Sequence, residues 1–247
     1  MPKLMSTTDD VQLTASAGGS HFQFSGVKLE NLGATEYTIS TMIVDTTGSV
    51  DSFANELLAA TKMIVETCRR SPRVDNLLLR LTTFNEHVTE VHGFKPLADI
   101  DPDQYEPYEP TGMTALYDAT LDGVAATIHY ANMLVQQGFS CNAIVWVVTD
   151  GIDNSSRNAR PADIAKAVRE ARQGEALESI LVVLVAINLQ DPDSQVYLER
   201  FRDQAKLDGF IDIGEATPDK LAYMADFISS SIIKQSQALG SGVSTTI

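Results

Sequence analysis

The sequence predicts an α/β fold, doubly wound, with a mostly parallel central sheet flanked by helices in the Rossmann-like manner. Three observations point there. Apolar, β-branched runs of strand length recur at residues 37–44, 143–148 and 180–187. Between them lie stretches with apolar residues at helical spacing, such as Phe53, Leu57, Leu58, Ala60, Met63 and Ile64. The strand runs are continuous rather than alternating, the pattern of strands covered on both faces, which parallel sheets require.

Each element follows in chain order. Residues 1–19 are rich in Ser, Thr and Gly and read as a flexible tail. Residues 20–236 read as a single domain, with 20–36 as an N-terminal β extension in which His21 to Leu29 alternates polar and apolar. Tyr37 to Val44 is the first buried strand. A helix over Phe53 to Cys68 follows, stopped by Ser71-Pro72. Asn76 to Phe84 is a strand, and Val88 to Val91 is its short antiparallel edge partner across Asn85-Glu86. Pro96, Pro102, Pro107 and Pro110 punctuate an acidic connection. Leu116 to Val135 is a helix, Ala143 to Val148 a buried strand, and Pro161 opens a helix through Arg172 at a position where proline is tolerated. Ile180 to Ile187 is a third buried strand, Val196 to Lys206 an amphipathic helix, Phe210 to Ile213 a short strand and Leu221 to Ile233 a closing helix. Residues 237–247 read as a second flexible tail.

Composition excludes several classes. At 247 residues the chain is long enough for one substantial core. The formal net charge of -15 disfavours binding to nucleic-acid backbones and to anionic membrane surfaces. No stretch approaches the roughly 20 apolar residues that cross a bilayer. The first ten residues lack the apolar centre of a signal peptide, so the expected location is the cytoplasm. Cys68 and Cys141 are far apart and read as free thiols, and no CxxC or Cys/His cluster suggests zinc.

The chemistry concentrates in three oxygen-rich loops. Asp45, Thr47 and Ser49 alternate directly after the first buried strand, with Gly48 easing the turn. Thr111-Gly112-Met113-Thr114 follows the acidic connection, and Thr149-Asp150-Gly151 ends the strand of Ala143 to Val148. In an open parallel sheet, ligands bind at the carboxyl ends of the strands, at the point where the winding direction switches. Two of these loops are expected at that edge. Carboxylates and hydroxyls are hard oxygen donors, suited to Mg²⁺, Mn²⁺ or Ca²⁺ rather than zinc or copper, and two carboxylates leave room for the bound water Mg²⁺ retains. The same residue types are ordinary turn and cap formers; it is the combination of three loops that favours a site.

The set Asp45-x-Thr47-x-Ser49, then Thr114, then Thr149-Asp150-Gly151 resembles the von Willebrand factor A domain, whose metal-ion-dependent adhesion site (MIDAS) has the pattern D-x-S-x-S, T and D. The resemblance runs in element order from about Tyr37 to Ile233. It implies that the hydroxyls of Thr47, Ser49 and Thr114 contact a divalent cation, Mg²⁺ ahead of Mn²⁺ or Ca²⁺. Asp45 and Asp150 would bind it directly or through water. Thr47 departs from the more usual Ser, with an equivalent hydroxyl. Asp118 reads as a supporting or helix-start carboxylate. The resemblance further implies an adaptor that binds a Glu or Asp of a partner protein through the open metal position, with AAA+ ATPases and stress-operon proteins as the expected partner class. Metal-dependent protein–protein interaction rather than catalysis is the expected function. The alternatives are a metal-dependent phosphohydrolase at the same sheet edge and a structural subunit in which metal only stabilises the fold.

Weaker signals are read as structure. No nucleotide-loop, zinc-protease or serine-hydrolase motif occurs. The carboxylates of Asp99, Asp101 and Asp103 are spaced like the start of a calcium loop, but the turn glycine is missing and Pro110 stands where the closing Glu belongs. A solvated acidic loop results; lying near the metal edge, it would favour basic partner surfaces. Tyr105 and Tyr108 are expected to pack that loop, and His21, His87, His92 and His129 are too scattered to ligate.

Overall fold

The computed structural model describes residues 10–174, 177–189 and 191–240. Eight strands form one sheet: β1 (Asp10–Ala17), β2 (Ser20–Val27), β3 (Glu36–Asp45), β4 (Leu77–Phe84), β5 (Val88–Pro96), β6 (Ser140–Thr149), β7 (Ile180–Ala186) and β8 (Gly209–Asp212). Five helices connect them: α1 (Ala54–Arg69), α2 (Leu116–Gln136), α3 (Pro161–Gln173), α4 (Pro192–Ala205) and α5 (Pro218–Ala238). The sheet order is β1-β2-β5-β4-β3-β6-β7-β8. Strands β4, β3, β6, β7 and β8 are parallel neighbours, whereas β5 runs antiparallel to β4 and β1 antiparallel to β2. The doubly wound, mostly parallel α/β architecture is thus the one the apolar runs predict.

Side-chain alternation along the central strands divides the core in two. Ile39 and Ile43 of β3 and Val145 and Val147 of β6 pack with α2, α3 and α4. Met42 and Val44 of β3 and Ile144, Trp146 and Val148 of β6 pack with α1 and α5. A strand buried on both faces has no polar alternation to display, which is why these segments are uniformly apolar. Cys68 and Cys141 are buried and free. Among the described residues no helix is long and apolar enough to cross a membrane.

Three elements depart from the sequence reading. The flexible tail expected over 1–19 is, from Asp10, strand β1, which pairs with β2 along its whole length; residues 1–9 lie outside the described residues. Val11, Leu13 and Ala15 do alternate with Gln12, Thr14 and Ser16, but the most buried of them is only an alanine and Gly18-Gly19 follows, so the apolar face is weakly marked. The hairpin arches over α2, which explains why that helix is apolar around most of its circumference. The Tyr130 hydroxyl of α2 donates to the Val27 carbonyl at 2.9 Å, and Ala15 and Phe24 are buried against the same core. At the other end, α5 continues to Ala238, into the segment expected as the C-terminal tail, while residues 241–247 lie outside the described residues.

Strand β5 is also longer than expected, because its second half is held by long-range contacts. Its Gly93 passes so close to β2 that a Cβ there would lie 2.1 Å from the Ser25 carbonyl oxygen. Beside it Arg80 of β4, 1% exposed, donates to Glu90 of β5 at 2.8 Å and to Asp122 of α2 at 2.9 Å. Glu90 in turn accepts from the backbone and hydroxyl of Ser25. A buried guanidinium with two carboxylates and a hydroxyl therefore joins β2, β4, β5 and α2.

The acidic connection starts at the end of the sheet opposite the predicted site. Pro96, just before Asp99, pairs with Leu78 at the start of β4, whereas Asp45 pairs with Phe84 at its end. Six residues of strand separate the two levels by about 20 Å. Asp99, three residues beyond Pro96, thus begins far from the predicted site rather than beside it. The chain then returns along α1. Tyr105 stacks on His92 and shares a 2.9 Å hydrogen bond with its Nε2, and Tyr108 donates to Thr61 at 3.1 Å. Both tyrosines pack the loop, as expected.

Candidate metal centre

Strand β3 lies between β4, reached through α1, and β6, reached through α2, so the winding direction reverses beside it. The register Val44↔Val148 brings the carboxyl ends of β3 and β6 together. Asp45 is the last residue of β3, and Thr149 the last of β6. Adjacent parallel strands therefore place both residues at one point, and the Thr149 hydroxyl donates to Asp45 Oδ2 at 2.6 Å.

The loop after β3 turns the alternate residues inward. Thr47 N–H donates to Asp45 Oδ1 at 2.9 Å, which folds the Asp-x-Thr step over the strand end. The Thr47 and Ser49 hydroxyls are 3.1 Å apart, and Ser49 Oγ donates to Asp150 Oδ1 at 2.9 Å. Thr149, Asp45, Thr47, Ser49 and Asp150 thus form one continuous polar chain. It grades from buried to open: Asp45 and Thr47 are enclosed, Asp150 is half-buried and Ser49 is exposed.

Thr114 joins through its backbone. The Gly48 N–H approaches the Gly112 carbonyl at 3.4 Å, and Thr111 N–H donates to the Thr46 carbonyl at 3.0 Å, so the loop of Thr114 lies against the loop of Ser49. On its other side, Thr114 N–H donates to the Asn154 side chain at 2.7 Å, and its carbonyl accepts from Asn154 and Ser155 N–H. The three loops close into a ring. Gly112 has φ +79°, a left-handed conformation suited to glycine.

Electrostatics mark the same point. Burial, with the charge of Asp150 adding to it, pushes the Asp45 carboxyl up to about 6. Burial also raises the Asp150 carboxyl, against the opposing effect of its bond from Ser49. Among the described residues neither carboxylate takes part in an ion pair. Nor do three or more carboxylate, imidazole or thiol groups gather anywhere among them in a way that would hold a metal ion. Any cation at this ring would rest on two carboxylates supplemented by hydroxyls.

Comparison with known proteins adds the fold. No protein-family model matches the sequence, and no curated protein matches it either. Among solved structures, the pilus adhesin SpaC from Lactobacillus rhamnosus GG in its open conformation aligns with TM-score 0.55 and 13% identity over 91% of this chain and 34% of the adhesin. The PilB minor pilin from Streptococcus sanguinis aligns with TM-score 0.57 and 14% identity over 89% of this chain and 66% of the pilin. Proximal thread matrix protein 1 from the mussel byssus, in a structure with a zinc-occupied MIDAS motif, aligns with TM-score 0.51 and 17% identity over 81% of this chain and 47% of that one. The fold is von Willebrand factor A-like. The chain spans about a third to two thirds of the length of these structures.

Within that fold, the structure brings Asp45, Thr47, Ser49 and Asp150 into direct hydrogen-bonding sequence, and places Thr114 on the adjoining loop. Asp118 lies in the first turn of α2 and serves as a supporting carboxylate. Its carboxylate accepts from the backbone N–H groups of Arg157, Asn158 and Ala159, pinning the loop that follows Asp150. Sequence reasoning missed Asn154, whose side chain fastens Thr114, and Asp153, which accepts from the Ser156 hydroxyl and Tyr117 N–H. The run Asp153-Asn154-Ser155-Ser156 directly after Asp150-Gly151 was the available signal, since such residues fix loops through side-chain-to-backbone bonds.

Proposed function

We propose that this chain is a protein-interaction module that takes up a divalent cation, Mg²⁺ first among them, at Asp45, Thr47, Ser49, Thr114 and Asp150. Through that cation it would bind a carboxylate of a partner protein. The observation that carries the reading is the meeting of Ser49 and Asp150 at 2.9 Å, across 101 residues of sequence, above the buried Asp45 at the switch point of the sheet. Two carboxylates raised by burial lie close enough there for Asp150 to act on Asp45, and among the described residues neither has a cationic partner, an arrangement that a bound cation relieves.

The donor set fits. All five side chains offer oxygen, and a hydroxyl that now donates to a carboxylate can turn a lone pair outward instead. Bound at this position, a hard cation supplies an open coordination site that a carboxylate can fill in place of water. Asp45 and Thr47 anchor the inner side, while Ser49 and Asp150 lie at the surface, so the open position faces outward. The zinc-occupied MIDAS motif of the mussel-byssus protein, which shares this fold, supports a divalent cation as the ligand. The oxygen-only donors here favour Mg²⁺ over zinc.

Two measurements test the reading. Mg²⁺ at a hundred-fold excess over its dissociation constant adds about 2.7 kcal/mol of stability, readable as a rise in Tm that EDTA reverses. Pull-downs with wild type and Asp45→Ala, with and without EDTA, should lose the same partner on mutation and on chelation; mass spectrometry would show whether it is an AAA+ or stress-operon protein. Equal capture by both proteins overturns the interaction reading. Mg²⁺-dependent hydrolysis of a phosphate ester, abolished by Asp45→Ala, would favour the phosphohydrolase instead.

A further inference from the structure

Two exposed apolar side chains stand on the ring itself. Among the described residues only five large hydrophobic side chains are exposed, and Met113, at 47%, and Ile152, at 38%, are two of them. The other three, Met63, Val196 and Tyr223, are scattered over helices α1, α4 and α5. Met113 lies between Gly112, which meets Gly48, and Thr114, which is fastened to Asn154. Ile152 lies between Asp150 and Asn154. The two stand on neighbouring loops of the ring, next to residues whose loop-to-loop hydrogen bonds hold the two loops together.

Three acidic residues stand on the rim among neutral polar ones such as Asn85 and Asn154, with Arg157 exposed on the loop beyond Asn154. Asp51 is exposed two residues beyond Ser49, Glu86 approaches Gly112 (its Cγ would lie 3.6 Å from a Cβ there), and Glu109 is exposed on the approach to Thr111. A carboxylate reaching the opening therefore passes acidic neighbours, which disfavours a bare acidic segment and favours one carrying its own cations.

Building on the proposed metal-dependent interaction, we infer that Met113 and Ile152 are the specificity anchors of the docking face. The partner it fits is a protein segment whose Asp or Glu is flanked by an aliphatic or aromatic residue and by Lys or Arg. The apolar neighbour packs between Met113 and Ile152, where methionine adapts to the shape offered. The cations meet Asp51, Glu86 and Glu109, contributing on-rate and salt dependence more than residence time.

The test uses randomised peptides displayed on phage, selected on the full chain in Mg²⁺ and eluted with EDTA. Eluted peptides should be enriched in Asp or Glu with an adjacent apolar and a nearby basic residue. A synthetic peptide of the selected sequence should bind Met113→Ser and Ile152→Ser roughly ten-fold more weakly, although both variants keep the Mg²⁺-induced rise in Tm. Glu86→Lys should weaken it several-fold, less so at high salt. Peptides that elute with EDTA but show no apolar or basic preference, or that bind Met113→Ser and Ile152→Ser as tightly as wild type, overturn this inference and leave the metal reading standing. If no peptide elutes with EDTA, the metal-dependent interaction fails, and the inference with it.

Discussion

Asp45→Asn should make the metal-free protein more stable while removing its response to Mg²⁺. Asp45 is 1% exposed, and burial with the adjacent Asp150 raises its carboxyl from 3.8 to about 6. A carboxyl raised on folding binds more protons in the folded than in the unfolded chain between those two values, so stability falls as pH rises through that window. Above pH 6 the penalty is complete. A shift of about two units, at about 1.4 kcal/mol each, amounts to about 3 kcal/mol. Asparagine removes the charge and keeps the contacts: its carbonyl oxygen can accept from Thr47 N–H, and its amide can donate to the Thr149 hydroxyl, which can then donate to the Gly151 carbonyl, 3.2 Å away. At roughly 2–4 °C per kcal/mol for a chain of this size, Tm near neutral pH in EDTA should rise by up to about 12 °C. The advantage should shrink towards acid, closing below pH 4 as wild-type Asp45 protonates in both states. Thermal melts of both proteins across that range, with EDTA and with Mg²⁺, are the assay. A variant no more stable than wild type in EDTA at neutral pH refutes the electrostatic argument; a variant that still gains stability from Mg²⁺ refutes the assignment of Asp45 to the metal.

Three further outcomes follow from the geometry. Arg80→Met leaves Glu90 and Asp122 buried without their cation and should cost about 3–5 kcal/mol in urea denaturation; adding Glu90→Gln and Asp122→Asn should recover part of it, and no recovery would show that lost packing rather than unpaired charge is responsible. Gly93→Ala sets a Cβ 2.1 Å from the Ser25 carbonyl, where the obstacle is backbone, and should cost about 1–3 kcal/mol with faster amide exchange across β1 and β2; unchanged exchange would show that the hairpin is not held by that close approach. Asp118→Ala strips the acceptor from the N–H groups of Arg157, Asn158 and Ala159 and should weaken Mg²⁺ binding about ten-fold in calorimetry without touching a proposed ligand; an unchanged affinity would mean the ring holds its shape without that anchor.

How much of this is legible in the sequence depends on the range of the interactions. Strands β3, β6 and β7 announce themselves because burial on both faces leaves no polar alternation. Asp45 and Thr149 are placed by strand register, which the apolar runs already imply. Strand β1 is hidden because its core-facing residues are as small as Ala15, so its place depends on α2, a hundred residues later. The Arg80 network is the same problem in polar form. An arginine inside Leu77-Leu78-Leu79-Arg80-Leu81 shows that something must neutralise it, but the sequence does not say that the partners are Glu90 and Asp122. Likewise Asn154 is an ordinary loop residue until the fold sets it against Thr114.

The two clusters of buried charge in this molecule are treated in opposite ways. Glu90 and Asp122 are supplied with a cation by the chain itself, in Arg80, and their network is part of the scaffold. Asp45 and Asp150 are brought together at the surface end of the sheet, their carboxyls both raised, and among the described residues no side chain supplies the compensating charge. Hydroxyls and a backbone N–H satisfy some of their oxygens but do not neutralise them. A chain that can bury an arginine between two acids has the means to neutralise Asp45 as well. That it instead sets hydroxyls around two carboxylates, on an edge open to solvent, supports a cation that comes from outside and can leave again. The stability withheld at Asp45 is then the part of the folding free energy that responds to metal, so metal binding and partner binding can be linked through a ring of three loops without any change in the sheet beneath.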